Sequence, residues 1–227
     1  MKMLHLYPNL MNLYGDYGNI VVLAKHLNDQ GISVQIDKKE VQDNVDFSKY
    51  DFIYMGSGTE KNQLVALNDL MNYKTYLIDY IENNKTILFT GNAMELLGRS
   101  INDLEALNII DFDTDVTDKR YTGDVLVKNE LIGEVLGFIN KSSIIHGGEE
   151  YKLFDYQFKG SDLIDNEFEG YYYHNLFGTH IIGPVLVKNP NFMTTIVKCL
   201  IGERYKALKY RYEDDAYDYN LQQLKLR

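Results

Sequence analysis

The sequence predicts an α/β fold in three layers, a mostly parallel sheet with helices on both faces, continued by an antiparallel extension. Three observations predict it. Through the first hundred residues short apolar runs alternate with helix-spaced segments, the order from which right-handed parallel sheets are wound. From about residue 104 that grain gives way to short β-like runs separated by Asn/Gly/Asp turns. The 227 residues are 45% hydrophobic and contain only three prolines, which suits one substantial core.

Met3 to Tyr7 is the first apolar run and reads as a buried strand. A Pro/Asn/Gly-rich loop follows, and Asn19 to Asn28 reads as a helix with Ile20, Leu23, Ala24 and Leu27 on one face. Gly31 ends it, and Ile32 to Ile36 alternates as a strand should. Asp51 to Met55 is another buried strand, running into Gly56, Ser57 and Gly58. Residues 61–83 carry helical spacing through Leu64, Leu67, Leu70, Met71, Tyr76, Ile78 and Ile81. Thr86 to Thr90 is a strand that turns at Gly91 into a short helix ending at Gly98. In such sheets the site lies at the carboxyl ends of the strands, where loops 8–19, 56–60 and 90–93 meet.

The extension is read as β-like runs at Gly123–Val127, Glu134–Phe138, Tyr171–Tyr173, Gly178–Ile182 and Val185–Val187. Asn191 to Leu200 looks like a closing helix. Residues 1–203 are read as one domain and 204–227 as a charged, Tyr-rich tail, helical over Glu213 to Arg227, that packs on the domain or on a partner. His5 is a strand residue and His26 a surface helix residue.

Lys and Arg number 23 against 33 Asp and Glu, a net charge of -10. Such a chain is repelled by phosphate backbones and anionic lipid heads, so neither nucleic acid nor a membrane surface is the expected partner. No run approaches the ~20 apolar residues of a spanning helix, and Met1 to Pro8 is too short for a signal peptide. Cys199 is the only cysteine, which excludes disulfides within the chain and thiolate zinc sites. A cytoplasmic location without metal or cofactor is the simplest expectation.

Taken singly, the glycine loops say little. Lys61 breaks a dinucleotide fingerprint at Gly56-Ser57-Gly58, and there is no Walker A pattern. Together they say more. Asn12 to Ile20 (NLYGDYGNI), Tyr54 to Glu60 (YMGSGTE) and Phe89 to Gly98 (FTGNAMELLG) resemble, in order, the motifs of class I glutamine amidotransferases of the cobyric acid synthase type. Arg120 to Asp124, Gly137 to Asn140, His146 to Gly148 and Asn175 to Pro184 extend the likeness. Within the family it is greatest to the glutaminase subunits of lipid II isoglutaminyl synthase. The resemblance implies a flavodoxin-like three-layer fold and a heterodimer with a Mur-ligase-like synthetase, which uses ammonia to amidate the peptidoglycan stem.

That chemistry needs a cysteine thiolate at a sharp strand-to-helix elbow, a histidine to move protons, and backbone N–H groups for the oxyanion. By motif the nucleophile position is Gly91 and the base position Ile182. Neither side chain can do the work. The resemblance places Gly56, Ser57, Gly58, Asn92, Arg120, His146, Gly147 and His180 around the pocket, with Ser57 contributing through its backbone. Neighbours on a strand face opposite ways, so Thr90 aims away from the pocket. His180 shares a strand face with Ile182, roughly 6.5–7 Å along. Cys199 is a core cysteine. Ile139 replaces a family acid, and Lys141 to Ile145 look like an insertion before His146, itself a turn residue.

The expected function is therefore a pseudoenzyme, a binding or regulatory subunit of the synthetase. Two other readings stand beside it: an active amidotransferase or hydrolase with a non-standard nucleophile, and a sensor for glutamine or a related amino acid.

Overall fold

The frame that positions the site is a set of parallel strands, β1 (Lys2–Leu6), β2 (Gln35–Lys39), β3 (Phe52–Met55) and β4 (Thr86–Thr90), ordered β2-β1-β3-β4. The computed structural model describes residues 1–163 and 167–226. Side chains alternate along each strand, and the two faces bury different sets. Leu4, Leu6, Ile53, Met55, Ile87 and Phe89 join one apolar cluster, whereas Met3, Phe52, Tyr54 and Leu88 join another. Helix α1 (Tyr17–Asp29) covers the second set with Ile20, Leu23, Ala24 and Leu27, the face that the sequence predicts. Helices α2 (Glu60–Leu70) and α3 (Lys74–Glu82) cover the first. A 3-10 turn at Met71–Tyr73 divides the helix predicted over 61–83. Strand β2 starts three residues later than predicted, because its ladder with β1 begins at Lys2 and Gln35.

Beyond β4 come two short strands, β5 (Ser100–Ile101) and β6 (Leu104–Glu105), and then the extension. Strands β7 (Phe112–Asn129), β8 (Gly133–Gly147), β9 (Lys152–Lys159), β10 (Phe168–Tyr173), β11 (Leu176–Thr179) and β12 (Ile181–Ile182) complete the sheet. Its order is β12-β8-β7-β9-β10-β11-β4-β3-β1-β2, with β11 parallel to β4 and antiparallel to β10. The fold class is thus as predicted, but β7 and β8 are far longer than the predicted runs. Lys141 to Ile145, expected as an insertion, lies inside β8, as does His146, expected in a turn.

Val185–Val187 is not a strand. It belongs to a short helix, α4 (Val185–Lys188), which leads into α5 (Pro190–Ile201). Pro184 precedes its first turn, Leu186 N–H donates to Asn19 Oδ1 at 2.8 Å, and Val185 and Leu186 are buried in the α1 cluster. Packing between helices satisfies this β-branched run without a ladder.

The tail forms α6 (Arg211–Lys225), two residues earlier than predicted; Arg227 lies outside the described residues. Leu221, Leu224 and Tyr217 pack with Leu126, Leu136 and Phe158. Tyr217 Oη donates to the Glu134 carbonyl at 2.8 Å. At the other end Tyr210 stacks on His26 with centroids 3.9 Å apart, and Glu213 meets its Nε2 at 2.9 Å. His26 is consequently buried, not a surface residue, because the tail lies over it. No helix among the described residues is long and apolar enough to cross a membrane.

Candidate functional site

The carboxyl ends of β1, β3 and β4 bring together the loops that the sequence singles out. Leu13 N–H donates to the Ser57 carbonyl, and Asn62 Nδ2 to that of Leu10. Asp16, fully buried, ties the centre. Its carboxylate accepts from Ser57 N–H at 2.8 Å, Thr90 Oγ1 at 3.2 Å and Gly183 N–H at 3.4 Å. Burial raises the Asp16 pKa, while those same donors pull it back. Tyr54 Oη bonds both the Asp16 carbonyl and Thr90 Oγ1, so the buried Thr90 hydroxyl is engaged by Asp16 and Tyr54.

Gly91 opens the 3-10 turn Gly91–Leu97 with φ at 60°, the left-handed conformation of a nucleophile elbow. A Cβ added there would stand 2.5 Å from both Cβ and Oγ of Ser57, and 3.1 Å from Ile182 Cγ2. Positions 91 and 182, which the resemblance pairs, are therefore adjacent. The space between them is occupied, since Ser57 extends its side chain where one at 91 would be. The loop amides are occupied too. Ser57 N–H is committed to Asp16, and Gly58 N–H donates to Asn92 Oδ1 at 2.9 Å while Asn92 Nδ2 returns a bond to the Gly58 carbonyl. Donors already satisfied by fixed acceptors are not available to a developing oxyanion.

Above the elbow is a cavity of about 20 Å³ lined by Ser57, Gly58, Asn92, Arg120 and Lys141, among others, room for about one water. A polar clasp closes it. Arg120 donates to Glu60 at 2.8 Å and to Asn140 Oδ1 at 2.9 Å, Ser142 Oγ donates to Glu60 at 2.7 Å, and Asn140 Nδ2 donates to Tyr14 Oη. The Ser142 hydroxyl, with help from Arg120, lowers the Glu60 pKa. Arg120 gets there because the β7–β8 register shifts between Val116 and Tyr121, a bulge that re-aims its side chain.

Other predicted residues lie elsewhere. Gly56 is beneath the loop, against the Met11 carbonyl and Asp16. His146 is exposed and bonds Asp115 at 3.0 Å; Gly147 is held through its carbonyl by Tyr171. Neither lines the cavity. His180 is not on one strand face with Ile182, because the strand breaks between them and β12 pairs with β8 instead of β4. Its ring is buried, 3.1 Å from Glu95 and 3.7 Å from Glu169. Burial and Lys141 oppose the imidazolium, but the two carboxylates outweigh them and raise the His180 pKa. Burial likewise opposes ionised Glu95 and Glu169, and His180 outweighs it in both, lowering their pKa values. Cys199 is partly buried against the α1–α5 core, its thiol pKa raised by burial.

Sequence reasoning did not single out Asp16, Tyr14, Glu60, Glu95, Asn140 and Ser142. All but Ser142 stand within the motifs quoted for the resemblance; their roles come from bonds between loops.

Residues 2–190 match the CobB/CobQ-like glutamine amidotransferase domain. The chain belongs to that family. Among similar relatives of this amidotransferase domain is the GatD subunit of lipid II isoglutaminyl synthase (glutamine-hydrolyzing) from Staphylococcus aureus (strain N315), 30% identical over 194 residues, covering 82% of this chain and 78% of that one. The subunit of the same name from Streptococcus pneumoniae (strain ATCC BAA-255 / R6) is 30% identical over 213 residues, 90% of this chain and 82% of that one. Solved structures agree on the fold. PurLQS from Thermotoga maritima superposes with a TM-score of 0.54 at 13% identity, over 97% of this chain and 98% of that one. A glutamine amidotransferase superposes at 0.59 with 12% identity, over 87% and 98%.

Proposed function

We propose that this chain is a non-hydrolysing subunit of a Mur-ligase-like synthetase, one that stabilises or regulates a partner amidating the peptidoglycan stem in the cytoplasm. Residues 1–203 form the amidotransferase-like domain and 204–227 its tail. The relatives support the partner class, because both are subunits of a lipid II isoglutaminyl synthase. The observation that carries the lost chemistry is the contact at the elbow: Ser57 fills the space beside Gly91, and Ile182 stands where a base is needed. Asn92 and Asp16 hold the loop amides in the same inert arrangement. Ser57 is no replacement nucleophile, since its hydroxyl donates to an amide oxygen, Asn92 Oδ1, which cannot take a proton at neutral pH. The half-buried, pKa-raised thiol of Cys199 is equally unsuited.

The test is ammonia release from glutamine by the chain alone and with a co-expressed Mur-ligase-like partner. The expected result is none from either, with stable co-purification. A Gly91→Cys, Ile182→His variant stays silent and resists a thiol-directed glutamine analogue, because Ser57 blocks the new side chain. The triple variant with Ser57→Gly takes the label. Turnover by the natural chain would overturn the reading.

A further inference from the structure

At the amino end of β4, the opposite end from Gly91, a groove of about 430 Å³ runs between α3 and the 3-10 turn Phe47–Lys49. That is the size of a small-ligand site. Tyr76, Asp79, Tyr80 and Asn83 follow one another at i, i+3, i+4 and i+7, so one side of α3 and its C-cap forms a wall. Asp46 and Phe47 face it from the turn. Phe47 and Tyr80 are buried and make the floor, whereas Tyr76, Asp79 and Asn83 are exposed and make the rim.

The polar groups of the groove are unevenly committed. Its donors are engaged: Ser48 Oγ donates to Asp46 Oδ1 at 2.6 Å, Asn83 Nδ2 to the Asp79 carbonyl at 2.7 Å, and the Lys85 ammonium stands 3.9 Å from Asp51. Its acceptors are not. Among the described residues no hydrogen bond or ion pair engages the Asp79 carboxylate, and Asn83 keeps its Oδ1. Deeper in, Tyr80 is only 4% exposed, yet its hydroxyl has no hydrogen-bond partner. A buried hydroxyl left unmatched is costly, and a ligand that reaches it supplies the missing bond. Unmet acceptors call for a ligand that brings N–H groups. Phe47, Tyr76 and Tyr80 add aromatic faces, on which a flat cation gains further. The net charge of -10 draws cations to such a rim.

We infer that this groove binds a flat organic cation of the amidinium or guanidinium class, its N–H groups on Asp79, Asn83 Oδ1 and Tyr80 Oη, its plane against the aromatic rings. The site is separate from the elbow cleft, and its assignment does not depend on whether the chain hydrolyses glutamine.

Calorimetric titration of the full chain tests it with two carriers of the group, benzamidine and N-acetyl-L-arginine amide, and with benzamide as the neutral isostere. Saturable heat is expected from at least one of the cations and none from benzamide at the same concentration. Heat from benzamidine alone assigns the groove to a small aromatic ligand, and heat from the arginine derivative to an arginine side chain. Asp79→Asn and Tyr80→Phe each weaken binding about fivefold, the size of one exposed ion pair or one neutral hydrogen bond. Tyr80→Phe breaks no hydrogen bond among the described residues, and thermal melts confirm that both variants fold. Glu60→Gln, in the clasp of the other cleft, leaves the affinity unchanged. Absence of saturable heat from both cations would overturn the inference, as would equal binding of benzamide. So would affinity that survives both groove variants, or that falls only in Glu60→Gln, which would put the ligand at the elbow.

Discussion

Ser57 and Gly91 are a coupled pair. Any L-residue at 91 must adopt the left-handed φ of 60°, costing roughly 1–2 kcal/mol, and must displace Ser57, about 1–3 kcal/mol for overpacking. Gly91→Ala is therefore expected to destabilise by about 2–5 kcal/mol, and in a Ser57→Gly background the conformational part and the lighter contact with Ile182 remain. A double-mutant cycle by chemical denaturation measures the coupling; additivity would refute the contact. His5 is a second residue with a readable cost. Both ring nitrogens are buried without partners, and burial, aided by Lys38, lowers its pKa to about 4. Between pH 6.5 and 4 the unfolded chain binds a proton that the folded chain refuses, so stability declines as pH falls through that window, by about 3 kcal/mol in all. His5→Leu should flatten this part of the profile; an unchanged slope would show the proton goes elsewhere. Gly91 and Ile182 could be read from the sequence because motif position alone identifies them. The Ser57 side chain could not, since its meaning depends on a residue 34 positions away.

At the level of elements, Asn189 joins two segments that share no ladder. Its Oδ1 accepts from Leu136 N–H at 2.8 Å, and its Nδ2 donates to the carbonyls of Leu136 and Val185 at 2.9 and 2.8 Å. The side chain is fully buried. Asn189→Ala strands three backbone groups in the interior, and with unsatisfied groups costing about 1–3 kcal/mol apiece a loss near 3 kcal/mol is expected by urea denaturation. A loss below 1 kcal/mol would mean that water replaces the amide. This junction also explains the misreading of Val185 to Val187. Alternating β-branched residues fit a strand until a buried asparagine and a proline fix the same segment as a helical turn. The α1 face, by contrast, was legible because its apolar spacing alone decides which side is buried.

Across the whole molecule, one ion cluster sits where the sheet changes partners. Thr179 ends the strand that ladders with β4, Ile181 begins the one that ladders with β8, and His180 between them holds Glu95 and Glu169. Because the folded pKa of His180 is raised, its contribution is complete below about pH 6.5 and is lost as pH rises through the folded value. The two carboxylates, lowered in the fold, contribute above about pH 4.3 and lose that contribution as pH falls through their folded values. His180→Gln removes the cation that both buried carboxylates face, leaving Glu169 only the weaker pull of Lys141, and about 3–5 kcal/mol of destabilisation is expected near pH 6. The difference from the natural chain should shrink as pH rises through the folded His180 value, followed by denaturant midpoints across an alkaline series; a loss that stays constant to the end of the series would assign His180 a packing role only. The parallel half of the sheet could be read from apolar runs and their order. The seam could not, because a one-residue break in Thr179-His180-Ile181 has no periodic signature.

The crowding at the elbow has a consequence for how the chain could be altered one residue at a time. Gly91→Cys made first enters occupied volume at a left-handed position, and the intermediate bears both penalties with no compensating function. Ser57→Gly made first only opens space. Of all the orders in which Ser57, Gly91 and Ile182 could be exchanged, the half that change Ser57 before Gly91 avoid the collision. One hydroxymethyl group thus acts as a latch on position 91, and a library varying positions 91 and 182 alone would meet the same collision in every member that carries a side chain at 91.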